Sequence, residues 1–492
     1  MLLTVKIKSL RLLAAATIGG VLTVLPLPLG DAGFTMPAAL ADDDDGDDDD
    51  GGSGGGGDDS GRSGDRDNPA YHRGGGGFHD LRSLFRWPSR ERRTPMRRAA
   101  STPEQAQNEL VAVGLDEDAI AGLTQEGFAV EDRIQVSLIG SEMVRLIVPA
   151  GTTLDSARAA VVARSATAVV DLNHFYQPQS ENKAGCSGEG CALVREIVGW
   201  PTNEITRCAK PPRIGLIDTA INIDHVTLTN TRLEIIRLSE GEATKSGAQH
   251  GTAVAALLIG HSDSRVPGLL PGAELIAVDA FQRSGKSADI ANIYDLVRAL
   301  DMLAQRDVKV VNLSLTGPAN AVLEKSVKAA TESGMILVAA AGNDGPNAKP
   351  VYPAAYDDVI AVTAVDKGRN PYRRAVRGDY IDIAAPGVGV WTAASISGAR
   401  QKTGTSFAAP FITAAVSVLI AGDPDMSHES LEAKIRQFTD DIGKPGKDPV
   451  FGWGLLNASR LCESISDTKP SALRPSCPLH DLLTRTIMVN RV

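Results

Sequence analysis

Three residues of this 492-residue chain are of the types that can turn an alcohol into a nucleophile. Asp218 closes the apolar run RIGLID, His250 opens HGTAVAALLIG, and Ser406 sits in TGTSFAAP ahead of a long apolar stretch. A serine hydroxyl is a weak nucleophile at neutral pH, and a neutral imidazole can take its proton during attack. A carboxylate on the far ring nitrogen holds the right tautomer and stabilises the imidazolium that forms. Each residue also has an ordinary structural reading. Asp218 suits a turn, His250 a polar helix start, and Ser406 a helix N-cap, where a hydroxyl accepts an orphan backbone N–H. Position argues for chemistry. All three fall at element boundaries, on the side where an α/β sheet presents its ligands.

The elements that must position them follow from the pattern of apolar runs. From about residue 193, short apolar runs alternate with longer helical segments. RIGLID, ELIAVDAF, VKVVNLSL, MILVAAAG, VIAVTAV and YIDIAAPG read as buried strands. HGTAVAALLIG, ADIANIYDLVRALDMLAQ and NAVLEKSVKAATESG read as helices. The alternation predicts an α/β fold, a doubly wound and mostly parallel sheet flanked by helices. Residues 101–177 are predicted to form a separate, small α+β domain. There TPEQAQNELVAVGLDEDAIAGLTQEG reads as helical with breaks, and EDRIQVSLIG and EMVRLIVPAG alternate like paired strands. TLDSARAAVVARS reads as a helix and TAVVDLNHFYQP as a final strand and exit. A Gly- and Cys-bearing linker, 178–192, leads into the larger domain at 193–462, and a tail covers 463–492.

The chain order Asp, His, Ser separates convergent versions of this triad and matches the subtilisin arrangement. Together, IGLIDTAINIDHVTL, QHGTAVAALLIG, VVNLSLTGP, AAAGNDGP and GTSFAAP resemble the subtilisin-like serine peptidases over roughly 193–462. The resemblance implies that Asp218 orients, His250 acts as general base then general acid, and Ser406 is the nucleophile. It makes Asn343, otherwise a plausible turn residue, the side-chain donor of an oxyanion hole shared with the Ser406 N–H. It implies that Ser314, Leu315, Thr316 and Gly317 pair with the substrate backbone. Ser284 and Gly285, in QRSGK, resemble the opposite strand of the cleft. Thr316 stands where the family has glycine, and Val351 aligns with a glycine at the floor of the first specificity pocket. A shallower pocket and a preference for small or modest apolar residues before the scissile bond are expected. Ala220 and Ala256 also replace family glycines, with no expected loss of function. Residues 101–177 resemble the family's propeptide, an intramolecular inhibitor whose exit NHFYQP would lie in the cleft. Processing would then fall within 177–195. Calcium sites are frequent in such proteins, but no ligand cluster in this sequence can be named, so neither a cofactor nor a metal is assigned. An α/β-hydrolase would need a G-x-S-x-G motif, and the only match, GGSGG at 51–55, lies in low-complexity sequence. The acid-acting serine-carboxyl peptidases use Glu where His250 stands.

The remaining segments bear on location and partners. Lys6, Lys8 and Arg11, an apolar stretch at 12–30 and ALA at 39–41 read as a signal peptide, residues 1–41. Residues 42–100, an Asp/Gly-rich and then Arg-rich segment, are expected to be a disordered linker. A secreted or periplasmic protein with no stable membrane span follows. Residues 1–67 carry 5 Lys+Arg against 13 Asp+Glu, so the rest of the chain has 45 against 47 and is nearly neutral. Nothing in that balance marks a nucleic-acid partner. Protein or peptide substrates and a monomeric state are expected. The five cysteines, at 186, 191, 208, 462 and 477, make disulfides plausible after export, and no CxxC pair points to zinc.

Overall fold

The computed structural model describes residues 102–179, 181–182, 193–201, 210–238, 245–285 and 288–463. The expected signal peptide, the Asp/Gly- and Arg-rich linker and the C-terminal tail lie outside these residues. So do Cys186, Cys191, Cys208 and Cys477, whereas Cys462 is disulfide-bonded. The described residues fall within one compact unit.

Its centre is a nine-stranded sheet. The order across it is Arg232–Arg237, Glu274–Asp279, Ile214–Asp218, Val310–Leu313, Ile336–Ala340, Val359–Val365, Ile383–Pro386, Leu455–Leu456 and Thr439–Asp440. All neighbours pair in parallel except the last two strands. Parallel strands are covered on both faces, so they read as unbroken apolar runs. Alternate side chains nevertheless part. Ile214, Leu216, Val310, Val338 and Val362 enter one core with the helices Ala248–Ile259 and Ala409–Gly422. Ile217, Val311, Leu313, Leu337 and Ala361 enter a second core with Ile293–Ala304 and Ala321–Glu332. This is the doubly wound arrangement expected from the run pattern. Strand Arg232–Arg237 was not foreseen; it is an edge strand, charged at both ends and half-exposed. The segment Thr405–Gly422 is long and apolar enough to cross a membrane, yet 89% of it is buried in the protein.

Residues 102–178 form four antiparallel strands in the order Ala129–Val136, Ser141–Ile147, Gln105–Val113 and Val169–Pro178, with helices Glu117–Gln125 and Leu154–Arg164. Gln105–Val113 corrects the helical reading of that stretch. It is a central strand paired on both sides, and these ladders outweigh the weak helix preference of its Gln, Ala, Glu and Leu residues. Its period-two alternation serves two cores. Leu110 and Ala112 pack under the domain's own helices. Val111 and Val113 join the second core of the large sheet. The two parts are also tied by polar contacts. Asp171 Oδ2 accepts from the Ala321 N–H at 2.8 Å, Asn320 Nδ2 donates to the Leu172 carbonyl at 2.9 Å, and Asp301 Oδ1 accepts from the Leu138 N–H at 2.7 Å.

Candidate active site

Asp218 is the last residue of its strand, and the chain leaves it at the carboxyl edge of the sheet. The chain passes from Ile214–Asp218 to one side of the sheet and returns to the other at Val310–Leu313, so the crevice between them is a topological switch point. The helix Ala248–Ile259 carries His250 in its first turn. Gly251 lets that helix approach the Asp218 turn closely. A Cβ there would stand 2.3 Å from the Thr219 carbonyl oxygen and 2.7 Å from that of Ala220. The Gly251 N–H donates to Thr219 Oγ1 at 3.0 Å, and Thr252 Oγ1 accepts from the Asn222 N–H at 2.8 Å. The result is a hydrogen bond of 2.7 Å between His250 Nδ1 and Asp218 Oδ1, with side chains 6% and 2% exposed. A carboxylate acceptor places the proton on Nδ1, which leaves the Nε2 lone pair as a base. Nε2 is buried and has no partner among the described residues.

Ser406 lies in the 3₁₀ turn Thr405–Phe407 that leads into the core helix Ala409–Gly422. Its hydroxyl caps no helix. It donates to the Ser314 carbonyl at 3.1 Å, while Ser314 Oγ donates to the Ser406 carbonyl at 2.9 Å. Ser314 Oγ in turn accepts from Asn312 Nδ2 at 2.8 Å, and Thr413 Oγ1 donates to Asn312 Oδ1 at 3.0 Å. This buried chain of hydrogen bonds fixes the serine against the neighbouring strand. The His250 ring packs on Phe407, the residue after the serine, at 5.4 Å between centroids.

Asn343 follows the strand Ile336–Ala340. Its Oδ1 accepts from both the backbone N–H and the hydroxyl of Thr405, each at 3.0 Å. The amide is therefore held by its oxygen, and Nδ2 is a buried donor without a partner among the described residues. A buried, unpaired N–H fixed in place is costly unless something else uses it.

Ser314, Leu315, Thr316 and Gly317 form an edge that continues beyond the strand Val310–Leu313. Leu315 pairs with Pro178 and Thr316 with Gln177, antiparallel, so the exit strand of the small domain occupies that edge. Gly317 exchanges two backbone hydrogen bonds of 2.9 Å with Tyr352, next to Val351. Val351 and Val376 lean on Gly342, where a Cβ would meet them at 2.8 and 3.1 Å, so apolar bulk stands beside Asn343. Ser284 and Gly285 do not face the exit strand. Gly285, at φ +65°, stands where the chain turns back, so Gln282–Ser284 pairs with Ala288–Asn292 as the outer strand of a hairpin. The inner strand meets the exit segment through Ala291 and Asn292.

Known proteins resemble this chain in sequence and fold. A family model described as "Subtilase family" covers residues 210–454. Subtilisin DY from Bacillus licheniformis is 30% identical over 260 residues, which span 51% of this chain and 90% of that protein. Subtilisin BL from Lederbergia lenta is 32% identical over 248 residues, 50% of this chain and 88% of the relative. The chain belongs to the subtilase family of serine endopeptidases. This subtilase is also 33% identical to the minor extracellular protease Epr of Bacillus subtilis over 210 residues, but spans only 32% of that protein's length. Fervidolysin from Fervidobacterium pennivorans, described as a keratinolytic enzyme related to subtilisin, shares the fold. Its TM-score is 0.62 at 19% identity, over 74% of this chain and 62% of that one.

The subtilase also carries a buried brace that sequence reasoning missed. Asp279 pairs with Asp218 across adjacent strands and ends at the same sheet edge. Its Oδ1 accepts from Ser246 Oγ at 2.9 Å, and Ser246 Oγ accepts from the Ala220 N–H at 2.8 Å, so the turn after Asp218 is held from below. Burial raises the Asp279 carboxyl to about 6, against the lowering effect of the Ser246 hydroxyl, the Phe281 N–H and Arg237. Its position at the end of ELIAVDAF, level with Asp218, was the available sequence signal.

Proposed function

We propose that this subtilase is an exported serine endopeptidase that hydrolyses peptide bonds through an acyl-enzyme. His250 Nε2 takes the proton of Ser406 as Oγ leaves the Ser314 carbonyl and bonds to the substrate carbonyl carbon. Asp218 holds the imidazole by Nδ1 and stabilises the imidazolium. Negative charge forms on the carbonyl oxygen, where Asn343 Nδ2 and the Ser406 N–H donate to it. The imidazolium then gives its proton to the departing amine nitrogen, the C–N bond breaks, and water repeats the sequence on the ester. The observation that carries this reading is the pair of buried, unpaired atoms, His250 Nε2 and Asn343 Nδ2. Both are fixed from their far ends, and one is a base and the other a donor.

In the same reading, Ser314 to Gly317 hold the substrate backbone as an added strand, which favours broad specificity. Val351 limits the residue before the scissile bond to small or modest, chiefly apolar side chains. Residues 101–177 act as an intramolecular inhibitor, because the exit strand they run into occupies that same edge. Residues 1–41 direct export, and the active form is a monomer acting on protein or peptide substrates. A fluorophosphonate probe tests the reading. It is expected to label the wild-type protein and not Ser406→Ala; equal labelling of both would refute it.

A further inference from the structure

Resting on the peptidase reading above, we propose that the loop 394–398 and the loop after Asp218 together form a docking surface for an apolar segment of a protein substrate, about eight to ten residues past the bond that is cut.

Exposure singles the patch out. Among the described residues, the three most exposed large apolar side chains are Ile396, Val226 and Ile223, at 82%, 64% and 52%. They lie on two loops that are bonded to each other. Asn222 Nδ2 donates to the Ser395 carbonyl at 2.9 Å and reaches the Ile396 carbonyl at 3.3 Å. His225 is buried, and its Nδ1 accepts from the Thr227 N–H at 3.2 Å. Nε2 therefore carries the proton and donates to the Gly398 carbonyl at 3.0 Å. The Ala394 N–H closes the loop on that same carbonyl at 3.2 Å. Both loops are thus fixed, and they hold the three side chains out in water. A lone exposed isoleucine is ordinary. Three large apolar residues brought together by tied loops, among the exposed polar residues Asp224 and Ser397, mark an interaction site.

The occupant follows from where the patch lies. Val390–Ala393 and Ala399–Thr403 are the two strands of a hairpin, and Ile396 is in the loop at its tip. On its outer edge Ala399–Thr403 takes Glu181 opposite Thr403 and Asn182 opposite Lys402, antiparallel. The same chain faces Leu315 with Pro178 before it passes Ser406. A peptide laid across the site therefore travels from Thr403 towards the tip with its carboxyl-side half. The ladder stops at Lys402 among the described residues, so the edge at Ala399, Arg400 and Gln401 can accept more of an extended peptide. Facing positions advance one for one, and Ile396 is six residues from Lys402, so it is met by the residue six past the one that faces Lys402. The chain's own continuation does not fill the patch, because residues 183–192, KAGCSGEGCA, hold no large apolar side chain. A second copy is a poor occupant as well, since three side chains fall far short of the roughly 800 Å² per partner that a stable interface buries. A separate polypeptide with an apolar stretch past the cut meets both conditions. Such a contact is made equally in the bound substrate and in the transition state, so it lowers KM and leaves kcat alone.

Quenched fluorescent peptides test this on the chain as it is expressed and processed. Each has Ala before one cleavable bond and carries either Leu-Ile-Leu or Ser-Gly-Ser about eight to ten residues past it, in an otherwise Gly/Ser chain. The wild-type protein is expected to take the apolar peptide with a KM about ten-fold lower, at equal kcat. The double variant Ile223→Ser, Ile396→Ser, altered only at exposed positions, is expected to abolish that difference and to turn over the Ser-Gly-Ser peptide as the wild type does. A difference that persists in the variant overturns the inference. A wild-type dimer in sedimentation that the variant does not form also overturns it, because a second copy is then the occupant. Equal KM values for the two peptides in a wild-type protein that takes the fluorophosphonate label overturn this inference alone. Absence of labelling overturns the peptidase reading and this one with it.

Discussion

Replacing Gly251 by alanine puts a methyl group where backbone already stands. The added Cβ would lie 2.3 Å from the Thr219 carbonyl oxygen, about 1.1 Å short of the 3.4 Å at which ordinary contact begins. Neither side can yield by rotating a side chain, because both belong to backbone. The helix bearing His250 must move away from the turn after Asp218, and the 2.7 Å bond between the two side chains then stretches past hydrogen-bond range. A displacement of about 1 Å at a reacting group costs on the order of 10²-fold in rate. Loss of the carboxylate's hold on the imidazole costs up to about 10⁴-fold. Overpacking of this kind destabilises by about 1–3 kcal/mol. Gly251→Ala is therefore expected to fold, with kcat on a peptide substrate down by about 10²–10⁴ and KM little changed. Steady-state kinetics and thermal unfolding of the purified variant provide the check. Wild-type kcat in a folded Gly251→Ala protein would refute the positioning argument.

Three further outcomes follow from the same geometry. Asn343→Ala should lower kcat by about 10²–10³, as loss of one oxyanion donor does, while active-site labelling persists at a reduced rate; an unchanged kcat would remove Asn343 from the mechanism. Val351→Gly should raise kcat/KM for peptides with Phe before the scissile bond relative to Ala, and an unaltered preference would show that Val351 does not limit the pocket. Asp279 bears on pH. Its folded pKa, raised by burial to about 6, lies above the usual aspartate value, so the folded state holds a proton that the unfolded state has lost between about pH 4 and 6. Stability from this group is present below that window and is lost as pH rises through it, by on the order of 2–3 kcal/mol. Urea unfolding of Ser406→Ala with and without Asp279→Asn, from pH 4 to 7, should show that slope only where Asp279 is kept.

Much of the large sheet was legible because buried parallel strands write themselves as short apolar runs, and those ending at Asp218, Leu313 and Ala340 were placed correctly. Asp218, His250 and Ser406 stood out because each lies at or near the boundary of such an element. Gln105–Val113 was misread because its pairing partners are distant in sequence, whereas its residues individually favour helix. Arg232–Arg237 escaped because an edge strand can stay charged and half-exposed. The placement of Ser284 depended on a hairpin turn at Gly285 rather than on residue type, and the inner strand took the contact expected of it. The braces through Asp279, Ser246, Asn312 and Thr413 arise from contacts that no local pattern announces.

Rapid-mixing kinetics of Ser406 acylation by a chromogenic ester, in the processed enzyme and in His250→Ala, bears most directly on whether this imidazole activates this alcohol. The account predicts a burst of leaving group equal to the enzyme concentration in wild type and a fall of about 10⁶-fold in the acylation rate without the imidazole. Acylation of Ser406 at the wild-type rate in His250→Ala would contradict it.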